Sequence, residues 1–300
     1  MSVARVLSHQ AFGWFKATAR GPPISLARTQ NNLRFSSSSS LPPQDLLPPT
    51  VLFSDNHLLV VNKPVGWHSV PNPEESPKCL LSELKRNQLG GGSAKDFLLP
   101  LHRIDQPCSG VLMLAKTSKA ASRITSSWKQ KRVQKEYLCV VSTTRLARLQ
   151  QVSTVVPENN DWQVLKGVMQ PRDKTERSVV IRPPSFKSTG RPVDLSWKLV
   201  KEIDGNNNDD FSMILVRTNS GARHMVRALL TQIGGCPIVG DVRYDATSLT
   251  LKDKSVALHA YRVILDERMK LGSLETFEFE APIPATWDNF FGISSDTLVK

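Results

Sequence analysis

The sequence predicts an α+β fold, a mixed and largely antiparallel sheet with flanking helices. Three observations point there: apolar runs of strand length dominate, helical patterns are few, and no regular strand–helix–strand alternation occurs. Val51 to Ser54 and Leu58 to Asn62 are short apolar runs around Asp55-Asn56-His57, the signature of a hairpin. Leu80 to Gln88 has a helical pattern and stops at Gly90-Gly91-Gly92. Val111 to Ala115 is wholly apolar, as a strand covered on both faces would be. Ser118 to Lys131 reads as a helix with Thr117 placed to cap it, and Tyr137 to Ser142 as a strand. From about 143 to 190 no period stands out, and strands joined by long loops are expected. Val193 to Ile203 alternates like a half-buried strand, Gly205 to Asp210 is a polar turn, and Phe211 to Thr218 is the partner strand. His224 to Ile233 is helical and stops at Gly234-Gly235. Leu258 to Leu265 and Leu274 to Glu280 read as late strands.

Composition narrows the class further. The chain has 300 residues, 40% of them apolar, enough for a substantial core. No run approaches the roughly 18 apolar residues a spanning helix needs, so no membrane role is expected. Four cysteines, Cys79, Cys108, Cys139 and Cys236, lack any Cys-x-x-Cys spacing. That argues against a disulfide scaffold and a zinc ribbon. Six histidines are scattered without ligand spacing, so no metal is expected.

The net charge of +12 is unevenly spread. Residues 1–40 carry Arg5, Lys16, Arg20, Arg28 and Arg34 with no acid, which leaves +7 to the rest. An acid-free leader holding Arg and Ser has the composition of an organelle transit peptide. Arg34-Phe35 before the Ser36 to Ser40 run favours the mitochondrial matrix, with the plastid as second choice. Residues 41–50, with Pro42, Pro43, Pro48 and Pro49, read as a linker, 51–292 as the folded domain and 293–300 as a tail. Lys116, Lys119, Arg123, Lys129, Lys131, Arg132 and Lys135 form a stretch with no acid, a candidate track for phosphates.

His102-Arg103-Ile104-Asp105 is the most informative tetrapeptide. Alone it reads as a surface ion pair. It is no kinase catalytic loop, because the inserted Ile104 breaks His-Arg-Asp and the companion motifs are missing. Neither Gly-x-Ser-x-Gly nor a phosphate-binding Gly-rich loop occurs. In context the chain resembles the RluA-type pseudouridine synthases. Lys63-Pro64-Val65-Gly66 with Pro71 is similar to the first motif of that family. His102 through Gly110, then Ala115-Lys116, is similar to the active-site motif, and Lys135-Glu136-Tyr137 to the Lys-x-Tyr element. Gly221 through Arg227, Gly235 through Asp241 with Tyr244, Leu258-His259-Ala260 and Ala281 through Pro284 are similar to the later blocks. The resemblance covers about 51 to 292.

This resemblance implies the pseudouridine synthase fold with a central active-site cleft, and isomerisation of uridine in ribosomal, transfer or messenger RNA without a cofactor. It implies Asp105 as the catalytic carboxylate, which attacks C1′ or C6 or takes a proton from C2′. Arg227 would be its buried partner, and Tyr137 the aromatic that packs on the base. Arg103 would enter the RNA where the base leaves. His102 is expected as scaffold near the RNA, and Lys63, Lys129, Arg132 and Lys135 as phosphate contacts. Alone, Arg227 would read as a solvated helix residue and Tyr137 as core. Four positions depart from the pattern: Cys108 stands for Thr, and Ala222, Arg223 and Met225 for Arg, Thr and Gln. The Leu41 to Thr50 segment is too short for the small RNA-binding domain of some relatives, which leaves RNA to the catalytic domain or to organellar RNA-processing proteins. The rival readings are a non-catalytic RNA-binding factor of the same fold and a nucleoside hydrolase, the latter lacking a second matched carboxylate.

Overall fold

Asp55 turns the chain between the first two strands. Its Oδ1 accepts the backbone N–H of His57 at 2.7 Å and of Leu58 at 2.6 Å, an Asx turn. It joins β1 (Thr50–Ser54) to β2 (Leu58–Lys63) as an antiparallel pair. The computed structural model describes residues 48–71, 79–89, 97–157, 159–171, 178–185, 189–204, 210–245, 247, 249–266, 268–269 and 277–293. The leader, most of the linker, the Gly90 to Gly92 stop and nearly all of the tail lie outside the described residues.

Beyond β2 follow α1 (Leu80–Arg86), β3 (Leu99–Pro100), β4 (Ser109–Ala115), α2 (Ser118–Lys129) and β5 (Gln134–Ser142). Thr117 caps α2, its side chain accepting the N–H of Ala120 at 3.2 Å. One face of α2 buries Ala120, Ala121 and Ile124, and the other exposes Lys119, Arg123 and Lys129. All seven residues of β4 are buried. Val111 and Met113 pack into one core, Leu112 and Leu114 into another, so both faces of the strand are covered and its sequence shows no alternation.

The stretch with no visible period contains α3 (Thr143–Val152), β6 (Thr154–Val156), β7 (Asn159–Met169) and β8 (Ile181–Arg182). The helix is a correction. It buries only Leu146 and Leu149, and Ser142 at its start makes no side-chain cap, so its signal is weak. In β7 the buried positions Trp162, Leu165, Gly167 and Val168 do not keep a strict period of two. After it come β9 (Arg191–Ile203), β10 (Phe211–Thr218), α4 (Met225–Gln232), β11 (Leu258–Ile264), β12 (Glu278–Glu280) and α5 (Ala285–Phe291). The late strand expected from Leu274 is observed over Glu278–Glu280, and 271–276 lie outside the described residues. So does most of the Gly205 to Asp210 turn.

These strands form one sheet in the order β1-β2-β4-β11-β5-β10-β9-β7-β6, with β3, β8 and β12 paired to β4, β7 and β11. The β4–β11 contact is parallel, and every other pairing between these strands is antiparallel. Gly110 makes that contact possible. Its φ is 116°, and a Cβ there would lie 2.2 Å from the Ala260 carbonyl oxygen. The Asp105 loop therefore enters β4 at mid-sheet, one strand away from β5 and Tyr137.

Candidate active site

Asp105 lies on a loop clamped by its neighbours. Ser69 holds both backbone groups of Ile104: its Oγ donates to the carbonyl at 2.8 Å and accepts the N–H at 3.0 Å. Gly66 donates its N–H to the Gln106 carbonyl at 2.8 Å, and Val256 to the Pro107 carbonyl at 2.8 Å. Lys63 closes the loop from below. Its ammonium donates to the carbonyls of Pro64 at 2.9 Å, Gln106 at 3.4 Å and Cys108 at 2.7 Å.

Lys63 is therefore no phosphate contact. It has 0% exposure, and burial pushes its pKa down to about 7, with the Asp105 carboxylate opposing. Composition counts a cation without showing where it sits, and here three carbonyls surround it. Lys63→Met should leave those carbonyls unpaired, at about 1–3 kcal/mol of stability. It should leave the salt dependence of RNA binding unchanged; a flatter slope in a titration would restore the phosphate role.

A cleft of about 1440 Å³ opens over this loop and is lined by Asp105, Tyr137, Arg227, His102, Arg103 and Lys135 among others. Arg227 is the third residue of α4 and only 3% exposed. Its Nη1 donates to Asp105 Oδ2 at 2.9 Å. Its Nε and Nη2 reach the two oxygens of Asp241, both at 2.7 Å. Burial opposes the charge of Arg227, but the hydrogen bonds to Asp241 and the charges of Cys108, Asp241 and Asp105 outweigh it and raise its pKa above the ordinary value. One guanidinium thus bridges a wholly buried carboxylate and one whose side chain is 25% exposed to the cleft.

The sequence reading did not assign Asp241, His224 or Tyr244 a role, although all three fall within the blocks it matched. His224 has φ 54°, a left-handed conformation uncommon for a non-glycine residue, immediately before α4. Its Nε2 lies 3.5 Å from Asp105 Oδ1 and its Nδ1 2.9 Å from the Tyr244 hydroxyl, which accepts the N–H of Val179 at 3.0 Å. Burial pushes His224 down to about 4, with Asp105 opposing and Arg227 adding to the shift. It is neutral at pH 7, so its contact with Asp105 is polar rather than ionic.

Tyr137 is half-buried in β5. Burial, and then the charges of Asp105, Cys108 and Cys139, push its phenol pKa up, so the ring stays neutral. Arg103 is exposed at the cleft. His102 accepts the Met113 N–H on Nε2 at 3.1 Å, which fixes its ring at the cleft.

Lys135 needs correcting as a surface phosphate contact. It is 5% exposed and donates to the Ser220 carbonyl within the cleft wall, and burial lowers its pKa to about 8. Lys129 and Arg132 are exposed at the end of α2, and Arg132 lies 3.7 Å from Asp266. Cys108 is 1% exposed and burial raises its thiol to about 12, so it remains a thiol. Met225 fills its place as a buried apolar side chain. Among the described residues no group of three or more His, Cys, Asp or Glu is placed to hold a metal ion.

Three histidines with lowered pKa values make stability depend on pH. Burial pushes His102 to about 3, helped by Lys135, and His224 and His259 to about 4. Between these values and the ordinary 6.5 the unfolded chain binds more protons than the folded one. The contribution of these rings is therefore full above pH 6.5 and falls with pH below it, by about 1.4 kcal/mol per unit for each titrating group. Urea unfolding at a series of pH values should show that loss between pH 6.5 and 4; a flat profile there would contradict the three neutral rings.

Comparison with known proteins bears on this geometry. A ribosomal large subunit pseudouridine synthase C from Rickettsia felis is 26% identical over 219 residues, covering 73% of this chain and 63% of the relative. Pseudouridylate synthase RPUSD4, mitochondrial, from Xenopus tropicalis is 25% identical over 200 residues, covering 65% and 60%. The chain thus spans less than two thirds of the length of these curated relatives. The human RNA pseudouridylate synthase domain containing 4 superposes with a TM-score of 0.55 at 19% identity, covering 79% of this chain and 90% of that one. The fold is shared. The family model for RNA pseudouridylate synthase matches residues 57–232, from the first hairpin through the Asp105 loop and Tyr137 to the end of the Arg227 helix. The chain belongs to the RNA pseudouridylate synthase family.

Proposed function

We propose that this chain isomerises uridine to pseudouridine in RNA, with Asp105 as the group that engages the target nucleotide. One observation carries the proposal: the Asp105 carboxylate faces a cleft beside Tyr137 with Oδ2 held 2.9 Å from a buried arginine. In the reaction the N1–C1′ bond breaks, the base turns, C5 joins C1′, the C5 proton leaves and N1 takes up a proton. No atom or electron is gained overall, so no cofactor is needed. Asp105 serves by bonding to C1′ or C6 or by taking a C2′ proton. The Tyr137 ring supports a base that must rotate, because an aromatic face imposes no fixed hydrogen bond on it. Arg103 takes the space of the displaced base and offsets part of the few kcal/mol that unstacking costs.

The acid-free leader and the similarity to a mitochondrial relative support organellar RNA in the mitochondrial matrix as the substrate pool. Site-resolved pseudouridine mapping of mitochondrial RNA, with and without the protein, tests this. Loss of one or more sites is expected; an unchanged map would favour the non-catalytic RNA-binding reading. The exposed end of α2 is the phosphate-facing surface of the proposal. The Lys129→Gln/Lys131→Gln variant should weaken RNA binding and reduce the slope of log affinity against log salt by about 1.4, near 0.7 per lost contact on a single strand. An unchanged slope would remove α2 from the interface.

A further inference from the structure

We propose that Trp128, backed by His102, is a stacking platform for an unpaired nucleobase flanking the target uridine; this rests on the RNA reading of the cleft. Trp128 is the second-last residue of α2, half-buried, and lines the cleft. Part of its ring packs on the core beneath α2. The His102 ring lies 5.1 Å away, centroid to centroid, with 33° between the planes. His102 is itself fixed by the Met113 N–H and is neutral, so it backs the indole without adding charge. The indole is thus held from two sides and still contributes to the cleft surface.

One stretch of the cleft wall is apolar, and its Leu101 packs on the same core as Trp128. Leu99, Pro100 and Leu101 line the same cleft, and Leu99 is 46% exposed. Cations flank this wall: Arg103 follows His102, and Lys129, Lys131 and Arg132 follow Trp128, all exposed. An apolar face with exposed cations next to it in the chain matches a base with its phosphates better than it matches a protein side chain. Stacking reads the π-face common to all bases, so the platform would accept any flanking nucleotide. Tyr137 lines the same cleft on β5, and the target base and its neighbour would then each have an aromatic support.

The test is equilibrium binding of a short single-stranded RNA of adenosines around one central uridine, to the full chain carrying Asp105→Asn so that no turnover intervenes. A second RNA keeps the uridine and the backbone but has abasic flanks. In this background Trp128→Leu should weaken binding of the first RNA by about tenfold and leave binding of the second unchanged. Trp128→Phe, which keeps a ring on the same packing, should bind both within about threefold of the parent. Equal affinity of the leucine variant and its parent for the first RNA would overturn the platform. So would an equal loss on both RNAs, which would mark a packing role. If the parent binds neither RNA, the RNA reading of the cleft falls and the platform with it.

Discussion

Asp105→Asn is expected to lower pseudouridine formation by at least about 10⁴-fold, the scale on which removing an essential reacting group acts. The substitution is nearly isosteric. The remaining carbonyl oxygen can still accept from Arg227 Nη1, and Ser69, Gly66 and Lys63 hold the loop through bonds to its backbone groups. Fold and RNA affinity should therefore change little, within about threefold for binding. What is lost is the charge: an amide neither bonds to C1′ or C6 nor removes a proton. Single-turnover kinetics on a mapped substrate RNA separate the two effects, and a variant that still turns over at the wild-type rate would rule out Asp105.

Arg227→Ala should affect stability as well as turnover, because the guanidinium serves two carboxylates. Asp241 has 0% exposure and would lose its two charge-assisted bonds from Arg227 at once. Breaking a buried pair in this way costs about 3–5 kcal/mol, a large share of the 5–15 kcal/mol that holds a typical domain together. Arg227→Lys separates the roles. It returns a point charge to the site, but cannot reproduce three donor contacts to two carboxylates in one plane. We expect it to recover much of the melting temperature while turnover stays depressed at least about tenfold, a loss equivalent to 1.4 kcal/mol. Wild-type turnover in the alanine variant would contradict the pairing.

How far the sequence spoke depended on whether the physics was local. Asp55 writes its turn through contacts two and three residues away, and Thr117 writes its cap three residues away, so both elements were readable. Helix α3 has two buried leucines and no side-chain cap, which leaves little for periodicity to detect. Within the site, the Arg227–Asp105 contact spans 122 residues and came into view only through the resemblance of whole blocks. Asp241 was visible as a residue but not as a partner, since 14 residues and the end of α4 separate it from Arg227. His224 carries no sequence mark of its left-handed backbone. Lys63 and Lys135 show the converse error: composition registers their charge and is silent on the carbonyls that bury it.

The central claim is that the Asp105 carboxylate drives exchange of the uridine glycosidic bond in RNA. Forming the new C5–C1′ bond expels the hydrogen at C5, so RNA labelled with tritium at uridine C5 reports the step directly. The purified full chain, given mitochondrial RNA so labelled, should release tritium to water in proportion to pseudouridine formed, and the Asp105→Asn chain should release none above background. Equal release by both chains, or none by either, would contradict the account.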